Sequence, residues 1–72
     1  MKYNLYEAER GKEYIVTDTP DIKLLSSIGI FKGARIKKEH TYRFGGPVSV
    51  SLSTRKIAIG KDIAEKIRVK GE

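Results

Sequence analysis

Three short segments, in fixed order along the chain, limit what it can fold into. They are Leu24-Leu25-Ser26-Ser27-Ile28-Gly29-Ile30-Phe31-Lys32-Gly33, then Gly45-Gly46-Pro47-Val48-Ser49-Val50, then Ile57-Ala58-Ile59-Gly60-Lys61-Asp62-Ile63-Ala64. The first reads as a short helix stopped by glycine, the second as a turn into a strand, and the third as a strand running into a helical turn. That succession describes a small β structure tied down by turns.

The remaining segments fit the same plan. Leu5-Tyr6-Glu7-Ala8 predicts a short helical turn that packs Leu5 and Ala8 inward and ends at Gly11. Tyr14-Ile15-Val16-Thr17 is aromatic and β-branched, the composition of a strand. Thr19-Pro20-Asp21 has the chemistry of a helix start, with Thr19 as cap and Pro20 in the first turn. The helix then runs to about Ile28, with Ile22, Leu25 and Ile28 on one core-facing stripe and Leu24 beside them. A strand over 34–42 turns Ile36 one way and Arg35, Lys37 and Glu39 the other. Val48, Val50 and Leu52 alternate with serines, and short strands at 57–59 and 67–69 complete the set. Five short strands with one helix point to an all-β class, a small SH3-like five-stranded barrel. The OB-fold is the rival, but its helix sits between later strands, whereas here the helix precedes the second.

The 72 residues make a single domain, 1–72, too short for a wide stability margin. There is no cysteine and only one histidine, so neither a disulfide nor a thiolate metal site can staple it. The fold must rest on its apolar core. No apolar run approaches the roughly 20 residues that span a bilayer, and the N-terminus has no leader pattern, so the expected location is cytoplasmic, without direct membrane insertion. Fifteen basic residues against nine acidic leave a net charge of +6. The basic residues are scattered rather than gathered into a tail, which fits solubility as well as a nucleic-acid footprint.

At this point the chain resembles the FeoA family, over about residues 5 to 70. The resemblance is carried by Leu5-x-x-Ala8-x-x-Gly11, Leu24-Leu25-x-x-Ile28-Gly29-Ile30-x-x-Gly33, Gly46-Pro47-x-x-Val50, and Ile57-Ala58-Ile59 followed by Ala64-x-x-Ile67-x-Val69. One departure is Lys38, where the family usually has an aliphatic; either the strand end leans into solvent, or the lysine lies along the barrel with its charge outward. The resemblance implies an SH3-like module that also occurs as the C-terminal domain of some iron-dependent repressors. It implies a docking or regulatory role in ferrous-iron uptake at the cytoplasmic face of the ferrous-iron permease, whose N-terminal region is a GTP-binding domain. It does not imply an oligomeric state.

The residues themselves argue against catalysis. There is no nucleophile elbow, and the carboxylates sit in exposed or helix-start contexts, so no enzyme activity and no cofactor are expected. Glu39 and His40 are strand neighbours that point to opposite faces and do not converge on a metal. Phe44-Gly45-Gly46-Pro47 lacks the spacing of a phosphate loop and reads as a turn. Tyr42, Arg43 and Phe44 form a basic and aromatic cluster, with Arg35 and Lys37 nearby in sequence, which would suit RNA or single-stranded DNA, a protein partner, or a cap on the barrel end. Protein docking is the favoured function, with Ile30, Phe31, Arg43 and Phe44 as anchors and Lys23 and Lys32 steering an acidic partner. The competing reading for Ile30 is ordinary core packing.

Overall fold

The structure, a computed structural model, describes residues 2–42 and 44–71. Its elements are β1 (Lys2–Asn4), β2 (Glu13–Asp18), α1 (Lys23–Ser27), β3 (Arg35–Thr41), β4 (Val48–Ser51), β5 (Lys56–Ile59), α2 (Lys61–Ala64) and β6 (Arg68–Gly71). All neighbouring strands are antiparallel, in the order β1-β6-β2-β3-β4-β5. The expectation of a five-stranded closed barrel is corrected on two counts: the sheet has six strands and is not closed, and a second short helix is present. The additional strand, β1, pairs Tyr3 with Val69 near the other end of the chain. A three-residue strand made by so distant a partner leaves no local alternation to read.

The core follows from strand alternation. Tyr14 and Val16 of β2, Ile36 of β3, Val48 and Val50 of β4, Ile59 of β5 and Val69 of β6 turn to one side of the curved sheet and are buried. Leu5 and Ala8 cover them from the turn after β1, and Ala64 and Ile67 from the end of α2. Lys38 points to this same side. It is 2 % exposed, and its ammonium turns inward to the carbonyls of Tyr6 and Ala8. The buried head corrects both expectations for this residue, because two carbonyl acceptors at the end of a turn replace the water the charge would otherwise seek.

Helix α1 begins later than its sequence signals predict. Ile22 is the extended residue before it, no side chain caps it, and Thr19-Pro20-Asp21 lies upstream as irregular chain. Of the expected stripe only Leu25 is fully buried, Ile28 is half-buried, Ile22 is at the surface, and Leu24 is 66 % exposed. One turn and a half of helix has too little surface to bury four apolar residues. Its end does match the expectation. Gly29 has φ +100°, the Ile30 N–H donates to the Leu25 carbonyl at 2.8 Å, and the Gly29 N–H donates to the Ser26 carbonyl at 3.2 Å. This is the paired bonding of a Schellman stop, with Leu25 and Ile30 both buried beside it. It drives Ile30 into the core and throws Phe31 outward. Gly33 then closes the turn, donating to the Val16 carbonyl at 2.7 Å.

Candidate functional site

The Schellman stop and the β4–β5 turn face each other across an open groove of about 320 Å³. Ile28, Phe31 and Leu52 supply its apolar surface, and Arg35 and Arg55 its charge; none of its lining residues is acidic. Its two sides meet where Leu52 approaches Gly29. A Cβ on that glycine would lie 2.9 Å from Leu52 Cδ1. Glycine is therefore favoured at position 29 by its backbone angle, and a Cβ there would also force the Leu52 side chain to shift.

A second groove, of about 390 Å³, runs between the 19–26 segment and residues 30–32. Lys23, Ile30, Phe31 and Lys32 all line it, so four of the residues nominated from sequence converge, with Asp21 as the only carboxylate among its lining. Ile30 is 1 % exposed and belongs to the core, which removes it as an anchor for a partner. Phe31 is 50 % exposed and lines both grooves, so it forms the ridge between them.

The hairpin joining β3 to β4 is a separate feature. The Tyr42 N–H donates to the Pro47 carbonyl at 3.1 Å, and the Tyr42 ring stands edge-on to His40 with centroids 4.7 Å apart. Phe44 has φ +61° and a fully exposed side chain. Neither aromatic caps the end of the sheet, and neither of the two grooves that Phe31 lines includes a residue of this hairpin. Arg43, also nominated from sequence, lies outside the described residues.

Three charged side chains of the described residues, Glu39, Lys12 and Lys38, use their partners structurally. Glu39 accepts a hydrogen bond from the Ser51 hydroxyl at 2.6 Å. That bond outweighs the opposing effect of burial and, with lesser help from Lys37 and Lys56, holds the Glu39 carboxyl below its ordinary range. Lys12 pairs with Glu9 at 3.1 Å, which raises the lysine. Burial lowers Lys38. Among the described residues no three His, Cys, Asp or Glu side chains gather as a metal site.

Reading the sequence does not find Leu52 and Arg55 as site residues. Leu52 reads as the end of a buried strand face, and Arg55 as a turn residue. Only the approach of Leu52 to Gly29 brings the two turns together, and that contact has no local signature.

A family model described as "FeoA domain" matches residues 3–71. Among solved structures, that of an iron uptake regulatory protein (FeoA) is 29% identical, with a TM-score of 0.89, over 100% of this chain and 99% of the other. A FeoA-like protein from Clostridium acetobutylicum is 24% identical, with a TM-score of 0.81, over 97% and 86%. A manganese-dependent transcriptional repressor is 22% identical with a TM-score of 0.88; this chain covers 42% of it and shares its fold in that part. Among curated protein sequences none matches significantly. No helix among the described residues is long and apolar enough to cross a membrane.

Proposed function

The chain belongs to the FeoA domain family, and on that ground we propose that it is a non-enzymatic accessory module of ferrous-iron uptake that docks on the cytoplasmic GTP-binding domain of a ferrous-iron permease. Phe31 carries the docking reading. It is half-exposed, and the Schellman stop on one side and the Gly33 turn on the other hold it on a ridge between two grooves. An aromatic side chain already held in place loses little freedom on binding, and such residues dominate interface energies. Lys23, Lys32 and Arg55 line the two grooves beside it, with Asp21 as the one carboxylate in the same linings. A partner surface with an apolar centre and carboxylates at its margin fits this arrangement.

The test is an amide NMR titration of the labelled protein with the GTP-binding domain of the ferrous-iron permease from the same genome. Shifts are expected at Phe31, Lys32 and residues 52–55, and Phe31→Ser is expected to weaken binding about tenfold while leaving the fold intact. If nothing moves at high partner excess while a short oligonucleotide shifts Arg35 and Lys37, the docking reading fails.

A further inference from the structure

The β2–β6 pairing slips once. Val16 is opposite Val69 and Asp18 is opposite Arg68, which leaves Thr17 as an extra, bulged residue. Bulges re-aim side chains and gather near functional sites. Here the bulge places the Thr17 hydroxyl where it is buried and without a hydrogen-bond partner among the described residues. A buried hydroxyl left unpaired is unfavourable, so a native chain that keeps one calls for a reason.

The surroundings supply that reason. Thr17, Asp18, Lys32 and Arg68 line one recess of about 460 Å³. Lys32 arrives from the turn after α1, anchored there because the Gly33 N–H donates to the Val16 carbonyl. Arg68 comes from β6. Neither cation is in an ion pair among the described residues. Asp18 turns one carboxylate oxygen to the Thr19 N–H at 3.0 Å, and its charge offsets only one of the two cations.

We propose that Thr17, Lys32 and Arg68 form a binding site for a phosphate group, free or as a monoester. Three elements each contribute one kind of donor: a hydroxyl, an ammonium and a guanidinium fork. Phosphate has a separate oxygen for each, whereas a carboxylate has only two oxygens in one plane. The recess exceeds the volume of phosphate itself and leaves space for the group that carries it. The site is distinct from the groove between Gly29 and Leu52, and the proposal does not rest on the docking reading.

The experiment is an amide NMR titration with inorganic phosphate at constant ionic strength, repeated with acetate and with chloride, on the wild type, Thr17→Val and Arg68→Gln. Thr17→Val keeps the β-branched shape while removing only the unpaired hydroxyl, so the fold is retained. Saturating shifts at Thr17, Lys32 and Arg68 are expected with phosphate alone, and each substitution should weaken them about tenfold, the value of one charge-assisted hydrogen bond. The proposal is overturned by shifts that rise without saturation and are matched by chloride. It is equally overturned by equal affinity for acetate, or by wild-type phosphate affinity in both variants. Phenyl phosphate distinguishes the two sources: binding tighter than inorganic phosphate assigns the site to monoesters, and weaker binding to the free ion.

Discussion

The Lys38 ammonium donates to the Ala8 carbonyl at 2.5 Å from inside the core, and the same group donates to the Tyr6 carbonyl at 2.5 Å. Its backbone holds the same segment from the other side, since the Lys38 carbonyl accepts from the Gly11 N–H at 2.6 Å. One β3 residue thus fastens the whole turn between β1 and β2. Two ammonium groups approach the Tyr6 ring, Lys38 Nζ at 5.9 Å and Lys61 Nζ at 5.3 Å from its centroid. In a chain without cysteine, this buried lysine ties together parts of the chain that a cross-link would otherwise join.

Replacing Lys38 by methionine preserves most of the side chain's volume but leaves two buried carbonyls without a donor. Each orphaned acceptor costs about 1–3 kcal/mol, so Lys38→Met should destabilise the domain by about 2 kcal/mol or more. Urea denaturation measures this directly. A variant as stable as the wild type would show that water takes over both carbonyls.

The same lysine makes stability depend on pH in the alkaline range. Burial lowers its folded pKa below the ordinary 10.5. Between the folded value and 10.5 the unfolded chain binds more protons, so stability from this group rises with pH across that window. A neutral amine still has two N–H donors, one for each carbonyl. The stability gap between wild type and Lys38→Met should therefore widen in the wild type's favour from pH 7 towards 10.5. A flat or narrowing gap contradicts this.

Glu39 works in the opposite direction. Its folded carboxyl is held below the ordinary 4.5, chiefly by the Ser51 hydroxyl. Its contribution is present above 4.5 and is lost as pH falls through the folded value. Ser51→Ala should move the Glu39 titration, followed by side-chain NMR, upward towards 4.5. An unchanged midpoint would transfer the effect to Lys37 and Lys56.

The sequence made legible those parts of the fold whose cause is local. The stop at Gly29 is one, because a left-handed residue after a short apolar run has a single economical solution. The alternation at Val48 and Val50 is another. The start of α1 lies three residues beyond its sequence signals, because Thr19 and Pro20 have the chemistry of a helix start but lie in irregular chain. Lys38 was misplaced because its acceptors, the Tyr6 and Ala8 carbonyls, lie 30 or more residues away. Phe31 was found as a surface aromatic beyond a helix stop. Its facing groove was not, because Leu52 and Arg55 reach it only through the tertiary approach to Gly29.

That approach has its own test. Gly29→Ala puts a Cβ at a φ that L residues rarely adopt and 2.9 Å from Leu52 Cδ1. The backbone part alone should cost about 1–2 kcal/mol. In a Leu52→Ala background the collision disappears while the backbone strain stays, so the second Gly29→Ala cost should be smaller. Equal costs in both backgrounds would show that Leu52 moves aside freely.

Phe44 and Phe31 can be separated by their different physics. Phe44 is fully exposed and holds φ +61°, a left-handed angle that a bulky residue adopts at a cost. Asparagine tolerates that angle, and no burial is lost on replacing a side chain that has none. Phe44→Asn should therefore raise stability, by up to about 1 kcal/mol. Because the two grooves beside Phe31 include no residue of this hairpin, the same variant should bind the permease domain as tightly as the wild type. Phe31→Ser should do the reverse, keeping the melting temperature and binding the partner about tenfold more weakly. If instead Phe44→Asn weakens binding, the strain at Phe44 is maintained for contact, and the docking surface is the hairpin tip rather than the groove.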